Sequence, residues 1–525
     1  MTTTEPRTYV LGGEIARRSL LGISPPVMAT WVTAVIAAIG LYLIAGTSLV
    51  TLAIIVAGLV AVVAATIEWH GHRSWAALRM HTLRTWDRRR RGEHIYRHAT
   101  DPAYGDPVLD PGWALPPPLG TVAPLDVSGT GLDDLFILRH ANPGERTYFS
   151  VMLAVDGVAS GLRGDAAYAA AAAAFGSFLA SMARESSFIR GIQMVHRSVP
   201  HDMAPHEQWA AAQVAALTDA RLLPVVESYG ALLDVLAPLA EEHRCYIALR
   251  IPQTDRFMAE TAAVARAAHA PIIGAIAQVI RDETERAVRL LASAGMGEVS
   301  VFGEKRACAV IRACIHPDHP LARHADASWT SCWPSYVGGR DAVAIGAEGR
   351  WRTRVGWIPG RAIEPVELHT LWLSPLLTGV DADPGDDETA PMPTIRTVSV
   401  RLDFVPAHRA RAAARGDFTS DQARAAKDRR KGRIDDGSVG TLLSASDRRR
   451  QDLTPGSGHH GVIYTLAVAV TGRDAEDLDR ACLRVTEAAT ESAIGDIDWA
   501  TDDHDVALIA TVPLGRGLAP TRYTR

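Results

Sequence analysis

Charge is missing where it matters most. Between Val27 and Ile67 the chain carries no Asp, Glu, Lys or Arg, a run of 41 residues in a sequence of 525. Cysteine is also scarce: Cys245, Cys308, Cys314, Cys332 and Cys482 are the only five, and none forms a CxxC pair. That odd, scattered count excludes a disulfide framework and reads as reduced thiols in a cytoplasmic compartment. Neither sign of charge dominates, with 54 Lys+Arg against 59 Asp+Glu and a net charge of −5. The balance disfavours a bulk nucleic-acid binder. With 47% hydrophobic and 22% charged residues, the composition excludes a disordered tail and a collagen-like fibre.

Motifs that carry chemistry are absent as well. There is no G-x-x-x-x-G-K-[ST], and Gly303-Glu304-Lys305 lacks the leading glycine loop, so it reads as a turn. No G-x-S-x-G elbow, H-E-x-x-H or EF-hand loop occurs. His70 and His72 fall at the exit of the apolar run. His316 and His319 flank Pro317-Asp318 without Cys or carboxylate partners at ligand spacing. His459 and His460 follow a Pro-Gly-Ser-Gly loop. The sequence therefore predicts no catalytic, cofactor or metal site.

What is present begins with the apolar run. It divides at Ala45-Gly46-Thr47-Ser48 into two stretches, 27–44 and 49–67, each near the ~20 residues that cross a bilayer core. A signal peptide has one short apolar core, and a soluble hairpin shows a polar stripe; neither description fits. Arg17 and Arg18 precede the first span, and Arg73, Arg79, Arg84 and Arg88–Arg91 follow the second. Positive flanks on both sides place both termini in the cytoplasm and make this a two-span plasma-membrane protein. Trp69 and Trp75 sit where interfacial anchors belong, and 69–91 reads as a basic helix against anionic lipid.

The remainder reads as an α+β cytoplasmic region of two linked halves with mixed sheets and helices. The boundaries are 1–26 for the N-terminal segment, 27–67 for the hairpin, and 68–124 for the basic helix and Pro-rich linker. The two halves are 125–380 and 394–525. Strands are expected near 148–155, 189–199, 245–251, 351–357, 394–406, 462–470 and 505–513. Helices are expected near 165–184, 207–220, 225–243, 256–294 (broken at Pro271), 306–314 and 475–493. The stretch 407–450 is helical and basic, with Arg424, Lys427, Arg429, Arg430, Lys431 and Arg433 among its charges, against six aspartates. Phe418 is its one aromatic, so base stacking is poorly provided for. A solvated helix face accounts for such a pattern; as a functional surface, it suits a protein contact.

Several segments together resemble a known family. They are Arg7-Thr8-Tyr9 with Leu20-Leu21-Gly22 before the hairpin, and Ser187–Arg190 through Gln193 to Arg197–Pro200. Further along are Arg352–Ile358, Leu373–Leu377, Arg450–Leu453 with His459, Val468–Thr471, and Val512-Pro513-Leu514-Gly515-Arg516-Gly517-Leu518. In this order they resemble actinobacterial conjugation-associated membrane proteins. There, a two-span hairpin is joined to a domain like the N-terminal, non-ATPase domain of conjugative and type IV secretion ATPases. The resemblance ends at Arg525, before any nucleotide-binding domain, and so implies a docking scaffold rather than the motor. It implies as partners a separate conjugation-type ATPase and small inner-membrane subunits, leaves homo-oligomerisation open, and implies no cofactor. An accessory membrane subunit of a type VII secretion apparatus is the alternative, and a membrane-bound enzyme a more distant one.

Overall fold

The computed structural model describes residues 8–11, 25–46, 48–66, 68–70, 73–98, 113–132, 134–157, 164–217, 219–319, 321, 327–346, 349–385, 391–430 and 437–517. Arg17, Arg18, Lys431 and Arg433 lie outside them. Two helices, α1 (Pro25–Ala45) and α2 (Leu49–Thr66), are long and apolar enough to cross a membrane. The 21 residues of α1 extend about 31 Å at 1.5 Å per residue. Gly46, at φ +75°, turns the chain between them in a conformation that costs glycine nothing. At the open end, the Trp31 indole donates to Thr66 Oγ1 at 2.7 Å.

The expected helix over 69–91 starts later. Residues Glu68–His70 (β1) and Arg73–Ser74 (β2) first pair antiparallel, committing backbone amides that a continuous helix needs; α3 then runs Trp75–Arg90. After β3 (Ile95–Tyr96) the chain builds one element order twice, the first copy with an additional helix after its third long strand. The first copy is β4 (Val122–Pro124), β5 (Ile137–His140), β6 (Tyr148–Val155), α4 (Asp165–Met182), β7 (Gly191–Pro200), an arm of α5 (Ala204–Ala215) and α6 (Leu223–Leu236), β8 (Glu241–Pro252), α7 (Asp255–Ala268), α8 (Ile272–Ser293), β9 (Val299–Val301) and α9 (Glu304–Ile315). The second is β10 (Tyr336–Gly338), β11 (Val343–Ile345), β12 (Trp351–Ile358), α10 (Ser374–Thr378), β13 (Ile395–Val405), an arm of α11 (Ala407–Arg430) and α12 (Ser438–Asp452), β14 (Gly461–Gly472), α13 (Ala475–Glu491), β15 (Asp498–Trp499) and α14 (His504–Thr511).

The strands from β3 to β15 form a single 13-stranded sheet. From the middle outward it runs β13-β14-β12-β11-β10-β3 on one side and β7-β8-β6-β5-β4 on the other. In the same way, β15 lies on β12 and β9 on β6. The copies meet where β13 pairs antiparallel with its counterpart β7, Thr397 opposite Arg197 and Arg401 opposite Gln193. A pseudo-two-fold axis perpendicular to the sheet follows. The segments 125–380 and 394–525 thus share one sheet, and its first strands, β3 and β4, lie inside the stretch 68–124 read as basic helix and linker.

Helices cover both faces. On one, the equivalent helices α9 and α14 share a core with Trp329, Trp333 and Tyr336. On the other, α4 and α8 cover the first copy and α10 and α13 the second. The spacing makes them do so: α13 buries Leu478, Cys482, Val485 and Ala489, three or four residues apart. Residues 505–513 are not the expected strand, because β15 already occupies the edge of β12 beside them. The apolar run bonds to itself instead, from Ala507 N to Asp503 O at 3.0 Å, as helix α14. A short apolar run alone does not distinguish the two outcomes.

Polar groups weld the central seam. The Gln193 amide, fully buried, donates to Ser399 Oγ at 2.9 Å and to the carbonyls of Ala510 at 2.9 Å and Val512 at 3.0 Å. Arg396 is paired with Glu241 at 2.6 Å and donates to the carbonyls of Leu376 and Leu377. Gln193→Leu strips two buried carbonyls of their donor. It is expected to cost about 2–4 kcal/mol, read as a lowered denaturation midpoint; an unchanged midpoint contradicts this role.

Candidate functional site

The described residues expected to act by contact fall near an anchor and on one of two helical arms. The anchor is built from α3, whose last turn faces the body. Arg88 reaches Asp503 Oδ1 at 2.7 Å and Asp505 Oδ2 at 2.5 Å, and Arg89 reaches Asp502 Oδ1 at 2.6 Å. His81 lies 2.8 Å from the Thr501 carbonyl. The Asp505 side chain is fully buried. Burial raises its pKa despite the pull of the Arg88 charge. Burial works against the Arg88 cation too, yet the two carboxylates leave its pKa above the usual value. The C-terminal turn of this helix is therefore spent on the body rather than on lipid. Nearer the bilayer, Trp75 is exposed with Arg79 over its ring at 5.2 Å; Trp69 and Arg73 fall in β1 and β2.

The chain ahead of α1 is held as well. Tyr9 and Leu368 exchange backbone hydrogen bonds of 2.9 and 2.8 Å. Thr8 Oγ1 donates to Glu367 at 3.1 Å, Arg448 donates to the Thr8 carbonyl at 2.9 Å, and the Tyr464 hydroxyl donates to the Leu11 carbonyl at 3.0 Å. Both ends of the apolar hairpin are thus fastened to the same body.

The second-copy arm separates the basic residues into two groups. Ala410, Ala414, Asp421 and Ala425 form the buried stripe of α11. In α12, Arg449 pairs with Asp417 at 3.1 Å, and Arg450 pairs with Asp447 and covers the Phe418 ring. These arginines hold the arm together. Arg424, Lys427, Arg429 and Arg430 are exposed and make no ion pair among the described residues. They crowd the far end of a 24-residue helix, about 36 Å from its base at 1.5 Å per residue. The first-copy arm is different in kind: none of the residues of α6 is buried, and Leu223, Val225, Tyr229, Leu232, Val235 and Leu236 are exposed along it.

A cavity of about 660 Å³ lies where α11 and α12 roof the sheet. Val400, Leu402 and Tyr464 floor it, and the segment 9–11 closes one wall. Its histidines, His459 and His460, come from the loop before β14, and burial lowers the pKa of His460. Among the described residues, no three His, Cys, Asp or Glu side chains are placed to hold a metal ion. Gly303 is the residue preceding α9, and Glu304 opens that helix. Burial pushes the Cys245 and Cys482 thiols up to about 11 and raises Cys314 and Cys332 as well, so these are poor nucleophiles.

Among the described residues, parts of the ordered segments make structural contacts. At Gly515 (φ +74°) a Cβ would lie 2.8 Å from Ser150 Cβ, and at Gly517 (φ +56°) 2.7 Å from Arg401 Cβ. Between them Arg516 donates to the carbonyls of Pro118 and Leu119 at 2.8 and 2.9 Å. Ser187 donates to Glu283 at 2.8 Å. The sequence did not disclose the anchor contacts of Asp502, Asp503 and Asp505, which lie more than 400 residues from their partners.

His504 sits inside the anchor, fully buried, and its Nδ1 accepts from Val355 N at 3.1 Å. Burial, then the Arg354 charge, lowers its pKa to about 4. The group is neutral when folded and protonates readily only when unfolded. Its contribution is therefore complete above pH 6.5 and is lost as pH falls toward 4. His504→Asn keeps an acceptor for Val355 and is expected to flatten the stability loss across that window by about 3 kcal/mol. An unaltered pH profile contradicts the assignment.

Compared with known protein families and with curated proteins, the chain matches no family model and no curated sequence.

Proposed function

We propose that this chain is a membrane-tethered docking scaffold of a conjugation, type IV secretion-like apparatus, with no ATPase activity of its own. The hairpin α1–α2 holds the body at the plasma membrane with both termini cytoplasmic. Arginines flanking both spans support that orientation, as does the hold of residues 8–11 on the same body that follows α2. One observation carries the docking reading: among the described residues the cationic end of α11 makes no ion pair, while Arg449 and Arg450 of α12 are paired within the arm.

A charged end about 36 Å from its base suits capture of an acidic partner surface. Attraction between exposed charges sets association rate and partner choice, and salt weakens it. The partner in this reading is a separate conjugation-type ATPase, with small inner-membrane subunits alongside. The ordered resemblance of the sequence supports that choice over a type VII assembly.

The test is charge reversal at Arg424, Lys427, Arg429 and Arg430 to Glu, followed by affinity purification of the tagged protein from its native membrane. Recovery of the ATPase is expected to fall at least tenfold, with the body's unfolding midpoint unchanged because these side chains are exposed. Undiminished recovery overturns the docking role. Recovery of type VII core subunits from the wild type replaces the apparatus assignment.

A further inference from the structure

The first-copy arm carries a repeat that its counterpart lacks. Short 3₁₀ turns, Ala220–Leu222 and Ala237–Leu239, continue α6 at either end. Along this stretch Leu222, Val225, Tyr229, Leu232, Leu236 and Leu239 recur at spacings of 3, 4, 3, 4 and 3. They are between 37% and 62% exposed. A separate stripe of Val226, Gly230 and Leu233 is half-buried, and at the border between the two Tyr229 turns its hydroxyl to His206 of α5 at 2.5 Å. The helix therefore has two seams, one used within the arm and one open to solvent. Alternation of 3 and 4 keeps an apolar seam facing a partner helix, where each side chain enters a hole between four others.

We propose that this seam pairs with the same seam of a second copy of this chain, the two arms closing into a four-helix bundle. Three features select that occupant. First, the positions beside the seam from Val225 to Leu236 are Val226, Ser228, Leu233 and Val235, all uncharged, and Arg221 at its start is paired with Asp219; Glu227 and Asp234 lie on the opposite side of the helix. Second, the arm from 204 to 239 carries Glu207, Asp219, Glu227 and Asp234 against Arg221 alone. Its net charge is −3, which an anionic leaflet repels rather than attracts. Third, eleven large apolar side chains of the arm are at least 37% exposed. That is enough to furnish the ~800 Å² per partner of an ordinary stable interface.

The pseudo-two-fold sharpens the point. The equivalent arm α11–α12 turns an alanine stripe inward and is basic outside, whereas this arm is apolar outside. One side of the body thus pairs copies while the other stays free for a charged partner. The inference does not depend on which apparatus the protein serves.

The experiment is cross-linking in native membranes followed by the mass of the purified full chain. Leu232→Cys, on the seam, is expected to give a bis-maleimide-linked species of twice the chain mass, and Asp234→Cys, on the opposite side, is not. The double variant Leu232→Glu with Leu236→Glu is expected to weaken self-association at least tenfold. Its unfolding midpoint as a monomer should be unchanged, since both residues are exposed within one copy. A wild type that is monomeric in the membrane overturns the inference. So does a dimer indifferent to the double variant, or a monomer that the variant merely strips of a different protein.

Discussion

A buried carboxylate that cannot do without its arginine sets the geometry of this molecule. Asp505 is sealed beneath α3, and Arg88 is the cation that meets it. Removing one partner of a buried pair leaves a charge without solvent, at a cost of about 3–5 kcal/mol. Because Arg88 lies beyond the apolar hairpin and Asp505 opens α14, the pair ties membrane to body. It also reaches inward, since the far end of α14 supplies the Ala510 carbonyl that Gln193 holds at the central seam. A continuous path of packed, hydrogen-bonded groups runs from the second apolar helix to the pseudo-two-fold axis.

Around that axis, one element order serves twice and ends in two chemistries. Each copy sends out a helical arm between its second and third long strands. In the second copy, small residues let the arm lie over the sheet and leave its far end cationic. In the first, the arm stands away from the body with leucines on its surface. Antiparallel pairing of β7 with β13 points the arms toward opposite ends of the sheet, so their surfaces do not compete. For a protein whose proposed task is to hold others together, separation of this kind keeps two interfaces independent.

Much of this was legible in the sequence, and the parts that were not share a cause. Forty-one residues without charge announced the two apolar helices, and alternation or helical spacing located the long elements to within a few residues. What depends on distant pairing was hidden. The duplicated order is carried by strand register, not by repeated residues. Asp503 and Asp505 look like ordinary surface aspartates until α3 folds back across them. The run Val506–Pro513 fits a strand or a buried helix equally, and only the occupied edge of β12 decides. Of the basic stretch, the sequence showed the charge but not the division of labour, which arises when Asp417 and Asp447 claim Arg449 and Arg450. The ordered segments were visible as patterns, yet their use is in tight crossings such as Gly515 over Ser150.

The central claim is that the membrane hairpin is held in one orientation on the body by the Arg88–Asp505 clamp. The most direct measurement is a spin-label distance between Arg84→Cys on α3 and Glu476→Cys on α13, in the full chain in lipid nanodiscs with Cys245→Ser. A single narrow distribution that broadens on Arg88→Ala is the result the account requires. A broad or multiple distribution in the unaltered clamp, or a narrow one indifferent to Arg88→Ala, would contradict it.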